Sequence, residues 1–146
     1  MDKYSKIGID NDFTPCEVKD GDEYFPNGIF EFNVTEMIKY IREHQEEFAL
    51  SEMTITEFPS SFSSINEGHV DSVDISLPVI LAEIAPGRYN LIDGQHRMEK
   101  ARRLGLSAIP AYKLGPLQHM RFLTSQKAYV AYVGYWNDKL KEHAVE

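Results

Sequence analysis

The sequence predicts an α/β domain of the α+β type, in which a small mixed sheet is flanked by helices. Three observations support this fold class. Residues 88–113 follow the order strand, turn, helix, strand. Apolar residues alternate strictly from Val73 to Leu81, which is typical of a half-buried strand. Amphipathic helical patterns cover about 33–47 and 117–142. The 146 residues are expected to form one domain with its own hydrophobic core.

The N-terminal third predicts turns, a short strand and the first helix. Residues 16–18 are the best strand candidate before the turn-rich run at 19–22. Residues 25–30, with Pro-Asn-Gly at their centre, predict a second turn. Asn33 is the expected N-cap of the helix, and Glu36 stands where a capping box places a glutamate.

The middle of the chain alternates between extended and loop patterns. Residues 53–58 alternate well enough for a strand, and the serine-rich residues 59–64 predict a loop. Pro78 is expected at an edge or a bend of the strand at 73–81. Residues 85–88, Ala-Pro-Gly-Arg, predict the hairpin turn into the central motif.

The central motif predicts a strand at 89–92, a tight turn at Asp93-Gly94, a helix at about 95–104 and a strand at 109–113. Gly105 is the expected C′ residue that ends the helix. Met98, Ala101 and Leu104 share one side of this helix, and we expect that side to be buried.

The C-terminal region, 117–142, is predicted to be helical with a break at Thr124-Ser125. Tyr129, Tyr132 and Trp136 fall on one helical face. Such a face either packs in the core or docks a partner, and core packing is the more common use.

The turn at Asp93-Gly94 carries the chemistry. Asp93 can accept a hydrogen bond from a backbone N–H at the helix start, and Gly94 permits close approach of a ligand to the backbone. A helix N-terminus favours anions, yet His96 and Arg97 occupy the first turn where acidic residues are preferred. This arrangement predicts a bound phosphate, with Arg97 as its main contact. A salt bridge to Asp93 or Glu99 is the alternative use of Arg97.

The residues 94–97, Gly-Gln-His-Arg, resemble the signature of the ParB/sulfiredoxin superfamily, together with Ala101, Leu104-Gly105 and Ile109-Pro110 at their spacing. ParB proteins carry Gly-Glu-Arg-Arg at this place, and sulfiredoxins carry Gly-Cys-His-Arg. The form here is the DGQHR variant. The resemblance covers about 73–113, including residues 77–80, which are similar to the strand before the motif. A segment at about 50–70 is extra relative to ParB proteins.

The resemblance implies a nucleotide site formed by Gly94, Gln95, His96 and Arg97, with ATP or CTP and Mg²⁺ as ligands. It also implies NTP hydrolysis or phosphoryl transfer, with Asp93 and His96 as the catalytic candidates. Gln95 stands where sulfiredoxins carry the nucleophilic cysteine, and an amide cannot supply a thiolate.

Free-serine kinases of the superfamily resemble this chain at the turn and use a glutamate from the N-terminal region. The acidic candidates here for holding Mg²⁺ or acting as a base are Asp93, Glu17, Asp20, Glu23 and Glu31. The sequence leaves the choice among them open.

Two other functions remain open at this point. The chain can be a non-catalytic regulatory or interaction module that binds a protein partner, or forms a homodimer, through the extra segment and the C-terminal aromatic helix. It can also be a metal-dependent nuclease. A histidine metal site is not expected, because His44, His69, His119 and His143 show no ligand spacing.

Composition narrows the class of partner. The net charge of −8 argues against direct DNA binding, although Arg97, Lys100, Arg102 and Arg103 form a local basic group. No apolar run approaches the roughly 20 residues of a membrane span. The polar N-terminus predicts no export signal, and one cysteine excludes an internal disulfide. A cytoplasmic location is the resulting expectation.

Overall fold

The structure is a computed structural model that describes residues 4–25, 30–57 and 66–145. Residues 26–29 of the turn predicted at 25–30, and the serine-rich loop at 59–64, lie outside the described residues. The strands are β1 (Tyr24–Phe25), β2 (Phe32–Asn33), β3 (Leu50–Thr54), β4 (Val79–Ala85), β5 (Arg88–Asp93) and β6 (Ala108–Leu114). The α-helices are α1 (Val34–Glu43), α2 (Glu67–Ser72), α3 (Gln95–Arg103), α4 (Pro116–His119) and α5 (Gln126–Val145). Single 3₁₀ turns cover Gln45–Glu47, Ile55–Glu57 and Met120–Phe122.

The main sheet within the described residues is mixed, as predicted, and its strand order is β3-β6-β4-β5. β4 and β5 form an antiparallel hairpin, β6 returns parallel to β4, and β3 adds antiparallel to the far side of β6. Strands β1 and β2 pair separately and antiparallel. The chain is therefore a mixed α/β protein of the α+β type.

Helices cover both faces of the main sheet. On one face Ile80, Ala82 and Ile84 pack in a cluster with residues of α1 and α5. On the other face Val79 and Leu81 pack in a cluster with Met98 and Ala101 of α3. Every residue of β4 is consequently buried, which explains its nearly uninterrupted apolar sequence.

The strand predicted at 73–81 is wrong in position and in exposure. The structure starts β4 at Val79, directly after Pro78, and β4 is an interior strand buried on both faces. Leu77 is 54% exposed. The alternation that begins at Val73 thus coincides with a turn and does not record a half-buried strand.

Hydrogen bonds explain where the helices begin and end. The side chain of Asn33 accepts from the N–H of Glu36 at 3.0 Å, so the predicted N-cap of α1 is confirmed. At the end of α3, Leu106 N–H donates to the Ala101 carbonyl and Gly105 N–H donates to the Arg102 carbonyl. These two bonds, with φ of +76° at Gly105, form a Schellman motif and confirm the predicted stop.

The predicted buried side of α3 is correct for Met98 and Ala101 and wrong for Leu104. The side chains of Met98 and Ala101 are 2% and 0% exposed, whereas Leu104 is 58% exposed. Leu104 is the C-cap residue, beyond the last helical turn, and the chain leaves the sheet surface there.

The aromatic face of the C-terminal helix belongs to the core. Tyr129, Tyr132 and Trp136 are at most 3% exposed, and α5 starts after the predicted break at Thr124-Ser125. The N-terminal arm, which we define as residues 4–16, lies against this helix. Trp136 Nε1 donates to the Ser5 carbonyl, and Asn137 exchanges two hydrogen bonds with the backbone of Ile7.

The extended predictions at 16–18 and 53–58 differ from the structure. Residues 16–18 belong to neither sheet, and Cys16 N–H donates to the Leu123 carbonyl. The strand expected at 53–58 lies at Leu50–Thr54 and is followed by a 3₁₀ turn. No helix of the described residues combines the length and the apolarity that crossing a membrane requires.

Candidate functional site

The central turn lies between β5 and α3, at the end of β5. Gly94 is the N-cap of α3 and has φ of +107°, outside the range that residues with a side chain readily adopt. A Cβ at this position would lie 2.6 Å from Cγ1 of Val79. Gly94 is therefore required both by the backbone conformation and by contact with β4.

The first turn of α3 offers backbone donors. The first hydrogen bond within the turn runs from Met98 N–H to the Gly94 carbonyl at 2.9 Å. The N–H groups of Gln95, His96 and Arg97 consequently have no partner inside the helix. The first turn holds no acidic residue.

A cavity of about 530 Å³ opens at this turn. Strand β1, the start of α1 and helix α2 contribute to its walls. The lining residues are Glu23, Tyr24, Phe25, Val34, His69, Val73, Ile92, Asp93, Gly94, Gln95, His96 and Arg97. The predicted nucleotide-binding and catalytic residues of the turn, 93–97, therefore all line one cavity.

The guanidinium of Arg97 is held in place by contacts with two other residues of the protein. Its Nη2 pairs with Oδ2 of Asp93 at 2.8 Å, and its Nη1 donates to the Pro78 carbonyl at 2.7 Å. The arginine side chain is 16% exposed and the Asp93 side chain is 28% exposed. The predicted alternative, a salt bridge to Asp93, is thus present. Asp93 does not cap α3 with its side chain, because the carboxylate turns to Arg97.

His96 contacts the segment before α2. Its Nε2 lies 3.1 Å from the backbone nitrogen of Asn66. The ring of His69 lies edge-on to the ring of His96, with the two centroids 4.6 Å apart. His69 is a cavity residue that sequence reasoning missed, because it lies in the extra segment and matches no motif.

Of the acidic candidates, Glu23 and Asp93 line the cavity. The backbone of Glu23 is fixed at the start of α1, since its N–H donates to Thr35 Oγ1 and its carbonyl accepts from Val34 N–H, both at 2.8 Å. The cavity lining does not include Glu17, Asp20 or Glu31. Glu31 instead accepts a hydrogen bond from Thr124 Oγ1. The position of β1 therefore separates Glu23 from the other N-terminal candidates.

The basic group on α3 is largely engaged in structural contacts. Lys100 Nζ donates to the carbonyls of Asp71 and Val73 at the end of α2. Arg103 binds both carboxylate oxygens of Glu67, and it also binds Glu99. The Arg103 guanidinium lowers the pKa of Glu67 below its ordinary value. These pairs join α2 to α3 and leave Arg97 as the basic side chain of α3 that lines the cavity.

The arrangement can bind an anion at the first turn of α3, with Glu23 and Asp93 as oxygen ligands nearby. The described residues contain no preformed cluster of three or more histidine, cysteine, aspartate or glutamate side chains that could hold a metal ion.

The fold and site define a class: a mixed α/β protein with a polar cavity at a strand–glycine–helix turn. Comparison with protein-family models, curated proteins and solved structures gives no match for this chain.

Proposed function

We propose that this protein binds a nucleoside di- or triphosphate, such as ATP or CTP, with its phosphates at the Gly94–Arg97 turn. The observation that carries the proposal is the cavity of about 530 Å³, which is lined both by the first turn of α3 and by Glu23. The resemblance of residues 93–97 to the ParB/sulfiredoxin signature supports the same ligand class.

Phosphate binding uses the backbone first and Arg97 second. The N–H groups of Gln95, His96 and Arg97 provide the anion site at the positive end of the helix. Arg97 keeps donors beyond the two that bind Asp93 and Pro78, because a guanidinium carries five N–H groups. The ion pair with Asp93 also holds the guanidinium in position.

Glu23 is the proposed Mg²⁺ ligand or general base. It is the N-terminal glutamate that lines the cavity, and its backbone is fixed by α1. The resulting reaction is hydrolysis or transfer of the terminal phosphoryl group, carried out in the cytoplasm. Asp93 has the same chemistry but is already paired with Arg97.

The test is a thermal-shift and calorimetric titration with ATP, CTP, GTP and ADP, with and without Mg²⁺. A ligand at about 100 times its Kd should add about 2.7 kcal/mol to the free energy of unfolding. Release of inorganic phosphate, measured in parallel, separates binding from catalysis.

Glu23→Gln should abolish the Mg²⁺-dependent part of binding or turnover while the fold survives. The matched control is Glu17→Gln, because Glu17 is exposed and lies away from the cavity lining. Wild-type protein that binds none of these nucleotides at millimolar concentration would contradict the proposal. Equal effects of the two substitutions would show that Glu23 is neither the Mg²⁺ ligand nor the general base.

A further inference from the structure

A second cavity, of about 520 Å³, shares no lining residue with the first. The N-terminal arm forms one wall, and the β4–β5 hairpin and the start of α4 form others. Three aromatic residues line it, Tyr4, Tyr89 and Trp136. The apolar residues Pro116 and Leu117 also line the cavity, and Leu117 is 78% exposed.

Glu83 is a lining residue of this cavity although it is only 5% exposed. Its Oε2 accepts from Gly87 N–H at 2.8 Å. No ion pair joins it to a cationic side chain in the part of the chain that the structure describes. A buried carboxylate is costly unless a cation accompanies it. Glu83 thus borders a cavity and has no counter-ion among the described residues.

The position of Glu83 is fixed before any ligand arrives. Its carbonyl accepts two hydrogen bonds, from Nε2 of His119 at 2.7 Å and from the hydroxyl of Tyr132 at 2.8 Å. β4 pairs with β6 only as far as Ala82, so this carbonyl lies beyond the parallel ladder and is available to both donors. The backbone under the carboxylate is consequently anchored by α4 and α5.

The rings around Glu83 suit a cation. The faces of tyrosine and tryptophan rings carry negative potential and attract ammonium groups. Lys113 Nζ already lies 5.9 Å from the centroid of the Tyr89 ring. Burial and the nearby charge of Glu83 raise the pKa of the Tyr89 phenol, so this ring stays neutral and its face adds to the negative potential of the cavity.

Lys6 is the cationic residue of the described lining. Its side chain is exposed and makes no ion pair with Glu83. An exposed lysine that makes no ion pair with Glu83 does not neutralise the buried carboxylate.

We propose that this cavity binds a small organic cation, an alkyl- or quaternary ammonium compound. The positive charge lies against the Glu83 carboxylate, and the carbon substituents contact the rings of Tyr4, Tyr89 and Trp136. The site is independent of the nucleotide site, so either proposal can fail without the other.

The test uses the intrinsic fluorescence of Trp136, the single tryptophan of the sequence, which lines the cavity. Wild-type protein is titrated with choline and with dimethylbutanol, its uncharged carbon analogue of the same shape. We expect a saturable change with choline and roughly tenfold weaker binding of dimethylbutanol, a difference of about 1.4 kcal/mol. Equal binding of both compounds, or no saturable change with choline at tens of millimolar, overturns the proposal.

Two variants locate the site. Glu83→Gln keeps an oxygen that accepts from Gly87 N–H but removes the charge, so choline binding should fall about tenfold while dimethylbutanol binding is unchanged. Tyr89→Leu provides a second measurement if the first variant does not fold, and it should also weaken choline binding. Unchanged choline affinity in a folded variant of either kind contradicts the site.

Lys6→Ala is the control, and it distinguishes a cation from a zwitterion. We expect choline to bind this variant as well as the wild type or better, because a like charge is removed. If betaine binds the wild type more tightly than choline and Lys6→Ala abolishes that binding, the cavity takes a zwitterion and the proposal is wrong.

Discussion

The backbone N–H of Asn66 lies 3.1 Å from Nε2 of His96, and this hydrogen bond joins the segment before α2 to the first turn of α3. An amide N–H can only donate, so Nε2 is the acceptor and carries no proton in this arrangement. His96 therefore cannot donate a proton from Nε2 while the bond exists. Proton transfer at that atom requires Asn66 to move away first.

Gly94→Ala should destabilise the protein by about 2–4 kcal/mol, because the variant combines a strained φ with a contact of 2.6 Å to Val79. Gly105→Ala is the matched control. Its φ of +76° is also positive, but a Cβ there meets no atom within 4 Å. We expect it to cost only about 1–2 kcal/mol. Urea denaturation measures both, and equal losses would show that the Val79 contact relaxes without cost.

Arg97→Ala should lower the free energy of unfolding by about 1–3 kcal/mol even without ligand, because it leaves the Pro78 carbonyl and the Asp93 carboxylate without this donor. Arg42→Ala, an exposed arginine on α1, serves as the control and should change stability by about 0.5 kcal/mol or less. A denaturation midpoint for Arg97→Ala equal to that of the control would show that solvent replaces both contacts.

Met98→Ala and Leu104→Ala test the placement of α3 on the sheet. Met98 is 2% exposed and packs against Val79 and Leu81, so its truncation should cost about 2–5 kcal/mol. Leu104 is 58% exposed, and its truncation should cost about 0.5 kcal/mol or less. Chemical denaturation of the two variants is the measurement. A larger loss of stability for Leu104→Ala than for Met98→Ala would show that α3 turns its other side to the sheet.

His119 predicts a pH dependence of stability. Complete burial lowers the pKa of its imidazole to about 4, and Nδ1 has no hydrogen-bond partner among the described residues. The folded state binds this proton less readily than the unfolded state, whose histidine titrates near its ordinary pKa of about 6.5. The contribution of neutral His119 to the free energy of unfolding is therefore fully present above about pH 6.5. It is lost progressively as the pH falls to about 4, by about 3 kcal/mol in total.

The measurement is urea denaturation from pH 7.5 to pH 4 on wild type and on His119→Gln, whose amide can still donate to the Glu83 carbonyl. Hydrogen bonds lower the pKa values of Asp22, Glu67 and Asp74, and these carboxyl groups are present in both proteins, so their titration cancels in the comparison. The wild type should lose stability more steeply than the variant. Parallel curves would show that His119 does not cause the loss.

Much of the fold was predictable because local signals and tertiary packing agree. The Asn33 cap, the Gly105 stop and the turn at 85–88 each follow from backbone chemistry that few residue types satisfy. The strand predicted at 73–81 was misplaced because alternation of apolar and polar residues does not distinguish a strand from a turn with spaced apolar residues. The predicted burial of Leu104 was wrong because helical periodicity does not show in which turn the helix ends.

The candidate site was predictable on the side of α3 and not on the opposite wall. The motif at 93–97 identifies its own residues. On the opposite wall, the sequence names Glu23 only as one of several acidic candidates and does not indicate His69, because both reach the cavity through the positions of β1 and α2. Those positions depend on contacts far apart in the chain, such as Arg103 with Glu67. One sequence contains no local record of such contacts.

The attachment of the N-terminal arm to α5 has a kinetic consequence. Residues 79–114 form β4, β5, α3 and β6 consecutively, so most of the sheet closes through short loops, whereas Trp136 to Ser5 closes a loop of nearly the whole chain. We expect the arm to dock after the rate-limiting step of folding. Removing the Asn137 contacts with Ile7 should then speed unfolding and leave the refolding rate almost unchanged.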